Sequence, residues 1–355
     1  MKLNRESGID TRAIIDLEND ALLNQLEPPS AEYLDQVYRQ QGVDLAVGAC
    51  QKALREWGGS AEEVTHVVAV TATNGGSPGY DQLVALRLGI PADAERVLLN
   101  GVGCAGGLAA LRVGANLCLA AEHCGRRARV LIFATELCSI QIRCELEAAI
   151  KTKRPCIGPG LFGDGAAALV LSNGSLSEAN QRGVYSLMHW MSRTIPETNE
   201  EMAYRVTTLG MLPFVKPSCW ANNSPSGFLL HLSKRIPHLA ANAVKSNFNT
   251  VVCTNYKFIY TGSALHPEEY DWALHPGGKA VIRAVQEGMH LSDEQLRATN
   301  KIYQSRGNAS SVAVLAVLDE LRNLGRGRDN VLACSFGPGL TIEMARLKRL
   351  DRQEG

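Results

Sequence analysis

A chain of 355 residues, 45% hydrophobic and 20% charged, is long enough to bury a large core and has the make-up of a globular enzyme. Lysine plus arginine equals aspartate plus glutamate, 36 against 36, so no overall field recruits nucleic acid, and an anionic ligand must be held by local charge. No apolar run approaches the ~20 residues that cross a bilayer, and the opening MKLNRESGID lacks the apolar segment of a secretory signal, so no membrane span and a cytoplasmic setting are expected.

Residues 34–57 read as a helix, with Ala46, Cys50, Ala53 and Leu54 at helical spacing. VTHVVAV from Val64 is a β-branched run expected as a buried strand. Residues 81–88 form a helix stopped by Gly89, with Pro91 behind it. The stretch VLLNGVGCAGGLAAL, from Val97, then runs strand, glycine loop, helix, the helix reaching about Glu122. ARVLIFAT and AAALVLS are further strands, and the alternation argues for an α/β fold with sheets covered on both faces. After Ser186 the chain reads as irregular, with residues 194–226 a proline-broken surface excursion followed by a helix over residues 229–248. YDWALHPGG is a strand ending in a glycine turn, SSVAVLAVLDELRNL an apolar helix, and NVLACSFGPGLTIEMARL a strand, tight turn and strand.

The glycine loop admits two uses. Gly101, Gly103 and Gly106 fit G-x-G-x-x-G, which can cradle a dinucleotide pyrophosphate, and Glu136 ends the next strand where a ribose-binding acid would stand. The same geometry can instead place Cys104 at a helix start, where its thiolate is favoured. Ten cysteines occur in all, and Cys118, His123, Cys124, Cys138, Cys144 and Cys156 are crowded. None forms the C-x-x-C pairs of a structural zinc site, so reduced thiols and no metal are expected.

The halves of the chain repeat one another in outline. One apolar helix begins just after Cys104 and another just after Asn308, so packing about a pseudo-twofold would bring both helix starts to one site. His275 in LHPGG, at a strand end, can supply an imidazolium, and Asn308 in RGNASS is either a helix cap or an amide donor. A cysteine, a histidine and an asparagine so placed make a workable nucleophilic site with donors for a developing oxyanion.

Five motifs in order, GVGCAGG, LFGDGAAALV, LHPGG, RGNASS and SFGPGLTIE, are similar to those of type III polyketide synthases, the chalcone and stilbene synthase family of the thiolase superfold. The resemblance runs from about residue 2 to residue 347. It implies a five-layered αβαβα fold of two similar halves, residues 1–180 carrying Cys104 and residues 181–355 carrying His275 and Asn308. It further implies a homodimer that uses acyl-CoA and malonyl-CoA without a separate cofactor. Cys104 would carry the acyl chain, while His275 and Asn308 assist decarboxylation of malonyl-CoA and hold the enolate. Phe162 matches a phenylalanine between CoA tunnel and cavity, and Ser310 keeps a family serine.

Cavity positions depart from the plant pattern. Leu230 stands for a gatekeeper phenylalanine, Cys138 and Gln141 for two threonines, and Ser77 for a methionine that reaches into the partner. The lost bulk at Leu230 and Ser77 points to a fatty acyl starter and a pyrone or resorcinol product. Lys2 and Arg5 stand where the family binds CoA phosphates, Arg12 matches a family arginine, and Glu6 replaces a basic residue. The family carries a further segment before Lys2, including a strand taken to be central in the first sheet, whose loss would leave costly unpaired backbone at its middle; the expectation is a misassigned start, a gap filled by another segment or chain, or an impaired protein. The competing readings are a β-ketoacyl synthase III-like initiation enzyme, a thiolase using Cys334 as second thiol, and a non-catalytic paralogue that binds CoA thioesters.

Overall fold

The structure, a computed structural model, describes residues 6–16, 29–153, 156–174, 183–207, 210–213, 228–252, 266–325 and 327–350. The strands of the first half are β1 (His66–Val70), β2 (Glu95–Leu99), β3 (Arg129–Glu136) and β4 (Gly165–Ser172). Those that follow are β5 (Tyr185–Thr194), β6 (Met202–Thr207), β7 (Gly210–Pro213), β8 (Phe228–Leu232), β9 (Tyr270–Leu274), β10 (Asn330–Gly337) and β11 (Thr341–Arg349).

The first sheet has the order β2-β1-β3-β4, with β1 parallel to β2 and β3, and β4 antiparallel to β3. The second has the order β5-β11-β10-β9, with β9 and β10 parallel and β11 antiparallel to both neighbours. Superposing the two patterns equates β1, β3 and β4 with β9, β10 and β11. That is the pseudo-twofold expected from the repeated outline. One expectation fails: the first sheet has no gap at its middle. His66 to Val70 pair residue for residue with Val130 to Ala134, so the central backbone groups are hydrogen-bonded. The position without a described strand is the outer edge of β4, where the second sheet has β5 beside β11.

Alternate residues of the central strands feed different cores, as the period of two requires. Val67, Ala69, Leu131 and Phe133 pack outward under the helix Val43–Trp57. Val68, Val70, Val130 and Ile132 pack inward against the helices Gly106–His123 and Ala313–Asn323. These two helices are the middle layer, touching strands of both sheets. Helix Ile236–Val252 covers the far face of the second sheet with Ala240, Val244 and Phe248. The five-layered architecture follows, in agreement with the sequence.

Burial between the two sheets explains most of the apolarity of residues 103–123, although Leu119 remains exposed. Among the described residues this is the helix long and apolar enough to cross a membrane, and 67% of its apolar window is buried inside the protein. It is core. The excursion after Ser186 is more ordered than its prolines imply: residues up to Thr194 form β5, and β6, β7 and β8 form a small sheet of their own. Residues 229–232, read as helix, are strand, because a short apolar run does not by itself separate the two. The helix starts at Ile236, with Pro237 in its first turn, where a missing N–H is harmless.

The two central helices meet at their N-termini through glycine. A Cβ on Gly107 would stand 2.4 Å from the Ser311 carbonyl oxygen, and one on Gly106 would stand 2.6 Å from Val70 Cγ2. Overpacking of this kind costs about 1–3 kcal/mol. Gly107→Ala is therefore expected to lower the unfolding free energy by that amount in urea titration; an unchanged midpoint and slope would show that the helices are free to separate.

Candidate active site

Cys104 is placed by backbone geometry that glycine permits. Gly101 and Gly103 have φ of 78° and 49°, in the left-handed region, and turn the chain from β2 into a single 3₁₀ turn, Gly103–Ala105, ahead of the long helix. The glycines of the G-x-G-x-x-G pattern thus serve the turn and the packing against Ser311. Cys104 is 8% exposed, and its Sγ lies 3.5 Å from Ser310 Oγ. Burial pushes the thiol up to about 11, against the opposing pull of hydrogen bonds from Ser310 and Asn308.

Asn308 is held from both sides. Its N–H donates to the Leu161 carbonyl at 3.0 Å and its carbonyl accepts from the Gly163 N–H at 3.0 Å, a short bridge that ties the loop to Phe162. Its side-chain oxygen accepts from the Ser310 N–H at 2.8 Å. That bond uses the acceptor end of the carboxamide, which leaves the NH₂ donors for the cavity that Asn308 lines. Ser310 itself is at φ 48°, a strained conformation for a residue with a Cβ, maintained where the loop turns under Cys104.

His275 follows β9, its N–H donating to the Cys334 carbonyl at 2.8 Å. The ring is 2% exposed, and neither Nδ1 nor Nε2 has a hydrogen-bond partner among the described residues. Buried polar nitrogens without partners are costly and uncommon. Burial pushes the imidazole down to about 3. Burial by itself thus favours the neutral ring, with one N–H donor and one acceptor, over the imidazolium that the sequence reading gives His275. A proton passed from sulfur to ring would create both charges together, and their attraction would offset part of each desolvation cost.

Cys104, His275 and Asn308 line one cavity of about 480 Å³. Its walls are mainly apolar, with Leu161, Phe162, Met202, Leu232, Ile236 and Val281 among them, and Lys234, Lys279 and Glu6 contribute the charged side chains. Of the sequence-selected substrate residues, Phe162 lines this cavity and Ser310 touches the sulfur. Cys138, Gln141 and Ser77 are not in its lining. Cys138 begins a 3₁₀ turn, where burial and the carboxylates of Glu136 and Asp164 push its thiol up, and Ser77 is exposed on the chain's surface. Leu230 lies in β8 opposite Tyr204, and its side chain is outside the described part, as are Lys2 and Arg5. Arg12 donates to the Gly160 carbonyl. Among the described residues no cluster fit for a metal occurs, and Cys334 is a buried free thiol.

Glu136 has a structural task that its place at a strand end does not announce. Glu136 is fully buried, and its carboxylate accepts from the Ala72 N–H at 3.0 Å, from Thr73 Oγ1 at 3.0 Å and from the Ser311 hydroxyl. Burial pushes its carboxyl up, opposed by these bonds. It leaves no ribose site. Instead it clamps the loop after β1 to the residues that carry Asn308 and Ser310, a link between positions 136 and 311 that no local motif announces.

A buried thiol, an imidazole with unmatched nitrogens and an oriented carboxamide, set between two pseudo-symmetric halves, define a condensing enzyme of the thiolase-like class. The chain matches the N-terminal domain of chalcone and stilbene synthases over residues 11–175 and the C-terminal domain over residues 191–351, and it belongs to that family. The type III polyketide synthase pspB of Penicillium soppii is 38% identical, covering 100% of this chain and 88% of its own length. The acylalkylpyrone synthase csyB of Aspergillus oryzae is 32% identical, covering 98% and 85%. Among solved structures, a fungal type III polyketide synthase, ORAS, superposes with a TM-score of 0.88 at 35% identity, covering 98% of this chain and 89% of that one. CsyB complexed with CoA-SH gives 0.87 at 32%, covering 98% and 90%. The protein is an acyltransferase, a type III polyketide synthase; these relatives favour neither β-ketoacyl synthase III nor a non-catalytic binder.

The depressed His275 pKa makes a stability prediction with a definite sign. Between about 3 and the ordinary 6.5 the unfolded chain binds a proton that the folded chain refuses. Acidification therefore removes stability, at up to about 1.4 kcal/mol per pH unit for one group. His275→Gln should lose stability less steeply than the native protein between pH 6.5 and 4.5 in urea titrations. Parallel pH profiles would mean that the ring titrates freely.

Proposed function

We propose that the protein extends a fatty acyl starter with malonyl units on Cys104 and releases a pyrone or resorcinol-type product. The carrying observation is the shared cavity, in which unmatched His275 nitrogens and the oriented Asn308 amide accompany the thiol. Cys104 Sγ attacks the starter thioester, its proton passes to His275, and CoA departs as the thiol. Malonyl-CoA then loses carbon dioxide, and the enolate oxygen that forms accepts hydrogen bonds from His275 N–H and Asn308 NH₂. The enolate carbon attacks the Cys104 thioester carbonyl, and the cysteine sulfur leaves to be reloaded by the extended chain.

Donors arranged beforehand around a developing oxyanion contribute about 10²–10³ in rate for each one removed. A neutral imidazole can fill this role, because it retains one N–H donor beside one acceptor nitrogen. The reading calls for no metal and no cofactor beyond CoA thioesters, in a cytoplasmic homodimer of chains each built from two halves, residues 1–180 and 181–355.

The apolar walls support the fatty starter, since each buried methylene is worth about 0.8 kcal/mol. The acylalkylpyrone synthase among the relatives supports the same reading. With malonyl-CoA and a panel of C8–C18 acyl-CoAs and p-coumaroyl-CoA, mass spectrometry should show pyrone or resorcinol products from the aliphatic starters. Preference for p-coumaroyl-CoA would overturn the starter class. Cys104→Ala should abolish extension, and full product formation would remove Cys104 as acyl carrier. Asn308→Ala should depress carbon dioxide release from malonyl-CoA by about 10²-fold, much more than acyl loading; equal losses would argue against the oxyanion role.

A further inference from the structure

Malonyl-CoA and an acyl-CoA starter share the CoA portion, whose phosphates must remain outside a shaft as apolar as this one. A chain with 36 basic and 36 acidic residues holds such anions by local charge. The N-terminal cations suggested by the family pattern do not supply it within the described residues. Arg12 is committed to the Gly160 carbonyl, and the acidic Glu6 lines the cavity. The cations among the described lining residues are Lys234 and Lys279.

These lysines come from separate elements of the second half. Lys234 lies between β8 and the helix Ile236–Val252, and Lys279 opens the helix Lys279–Met289. Both are exposed, and neither ammonium has an ion-pair or hydrogen-bond partner among the described residues. Arg235, the residue next to Lys234, is by contrast paired with Glu201. The Lys279 ammonium extends toward the N-terminal segment, its Nζ 3.4 Å from where a Cβ on Gly8 would stand. It thus stands between the helix and the segment carrying Glu6. The same cavity has Cys104 in its lining, so one opening joins unmatched cations to the reactive sulfur.

We propose that Lys234 and Lys279 form the phosphate-binding rim of the CoA site, so that the second half of the chain anchors the nucleotide end while the pantetheine arm reaches Cys104. This rests on the proposed use of CoA thioesters and adds to it the residues that select for CoA. A lysine suits the task as a mobile point charge that follows a phosphate, and its salt dependence is correspondingly strong.

Calorimetric titration of the full chain with CoA tests the assignment without requiring turnover. Lys234→Glu and Lys279→Glu should each weaken CoA binding about tenfold, the size of one lost charge-assisted contact, and should flatten its dependence on salt. Pantetheine, which lacks the phosphates, should not discriminate between native and variant proteins. Lys245→Glu, the same charge change at an exposed position of helix Ile236–Val252 outside the cavity lining, controls for the general field. Unchanged CoA affinity in both rim variants, equal loss in the Lys245 variant, or equal loss for pantetheine would each overturn the inference. So would lysine-dependent binding of an acidic phosphopantetheinyl carrier protein with no such dependence for CoA. Lysine-dependent CoA binding by a protein that makes no polyketide would refute the synthase reading and leave the rim standing.

Discussion

The contact on which the site depends is the approach of two helix N-termini with no side chain between them. Gly107 faces the Ser311 carbonyl so closely that even a methyl group would collide with it. That approach carries Cys104, at the head of one helix, to Ser310, at the head of the other, across more than half the chain. The geometry of the candidate site is therefore a consequence of core packing. Val70, Ile132, Val314 and Leu315 hold the helices together from the sheets inward, in one continuous apolar core.

Around this contact the polar groups are arranged by hydrogen bonds that consume the unwanted half of each side chain. Ser310 N–H takes the oxygen of Asn308, and Phe162 and its neighbours fix the backbone of the same residue. Glu136 joins the loop after β1 to Ser311 from the opposite side. What remains without a partner among the described residues is the pair of imidazole nitrogens, beside a thiol that Ser310 and Asn308 hold by hydrogen bonds. Desolvation keeps thiol and imidazole neutral when each is alone, so ionisation is reserved for steps in which charge appears in partnership. The strain at Ser310 and the orphan nitrogens of His275 are both costs to folding, concentrated where the chemistry takes place.

Charge and apolar surface divide the cavity between them. The inner walls carry aliphatic and aromatic groups, whereas the charged lining consists of Glu6, Lys234 and Lys279. An acyl chain and a nucleotide have opposite needs for water, and a shaft with this division can meet both along its length.

Local pattern was enough for much of the fold. The β-branched run at β1 and the glycine stop at Gly89 are short-range signals, and the strand and helix stand where they point. The excursion after Ser186 and the start of the helix at Ile236 differ from local pattern, because β5 and β8 are strands by virtue of partners distant in sequence. By itself the sequence determined the elements, the doubled outline and the types of reactive group, since these depend on residue type and spacing within one turn or one strand. Only the tertiary structure decided that Glu136 braces a loop, that His275 is buried without a ring partner among the described residues, and that Lys234 and Lys279 share an opening with Cys104. Desolvation and long-range contact are properties of the folded interior, and no stretch of chain expresses them alone.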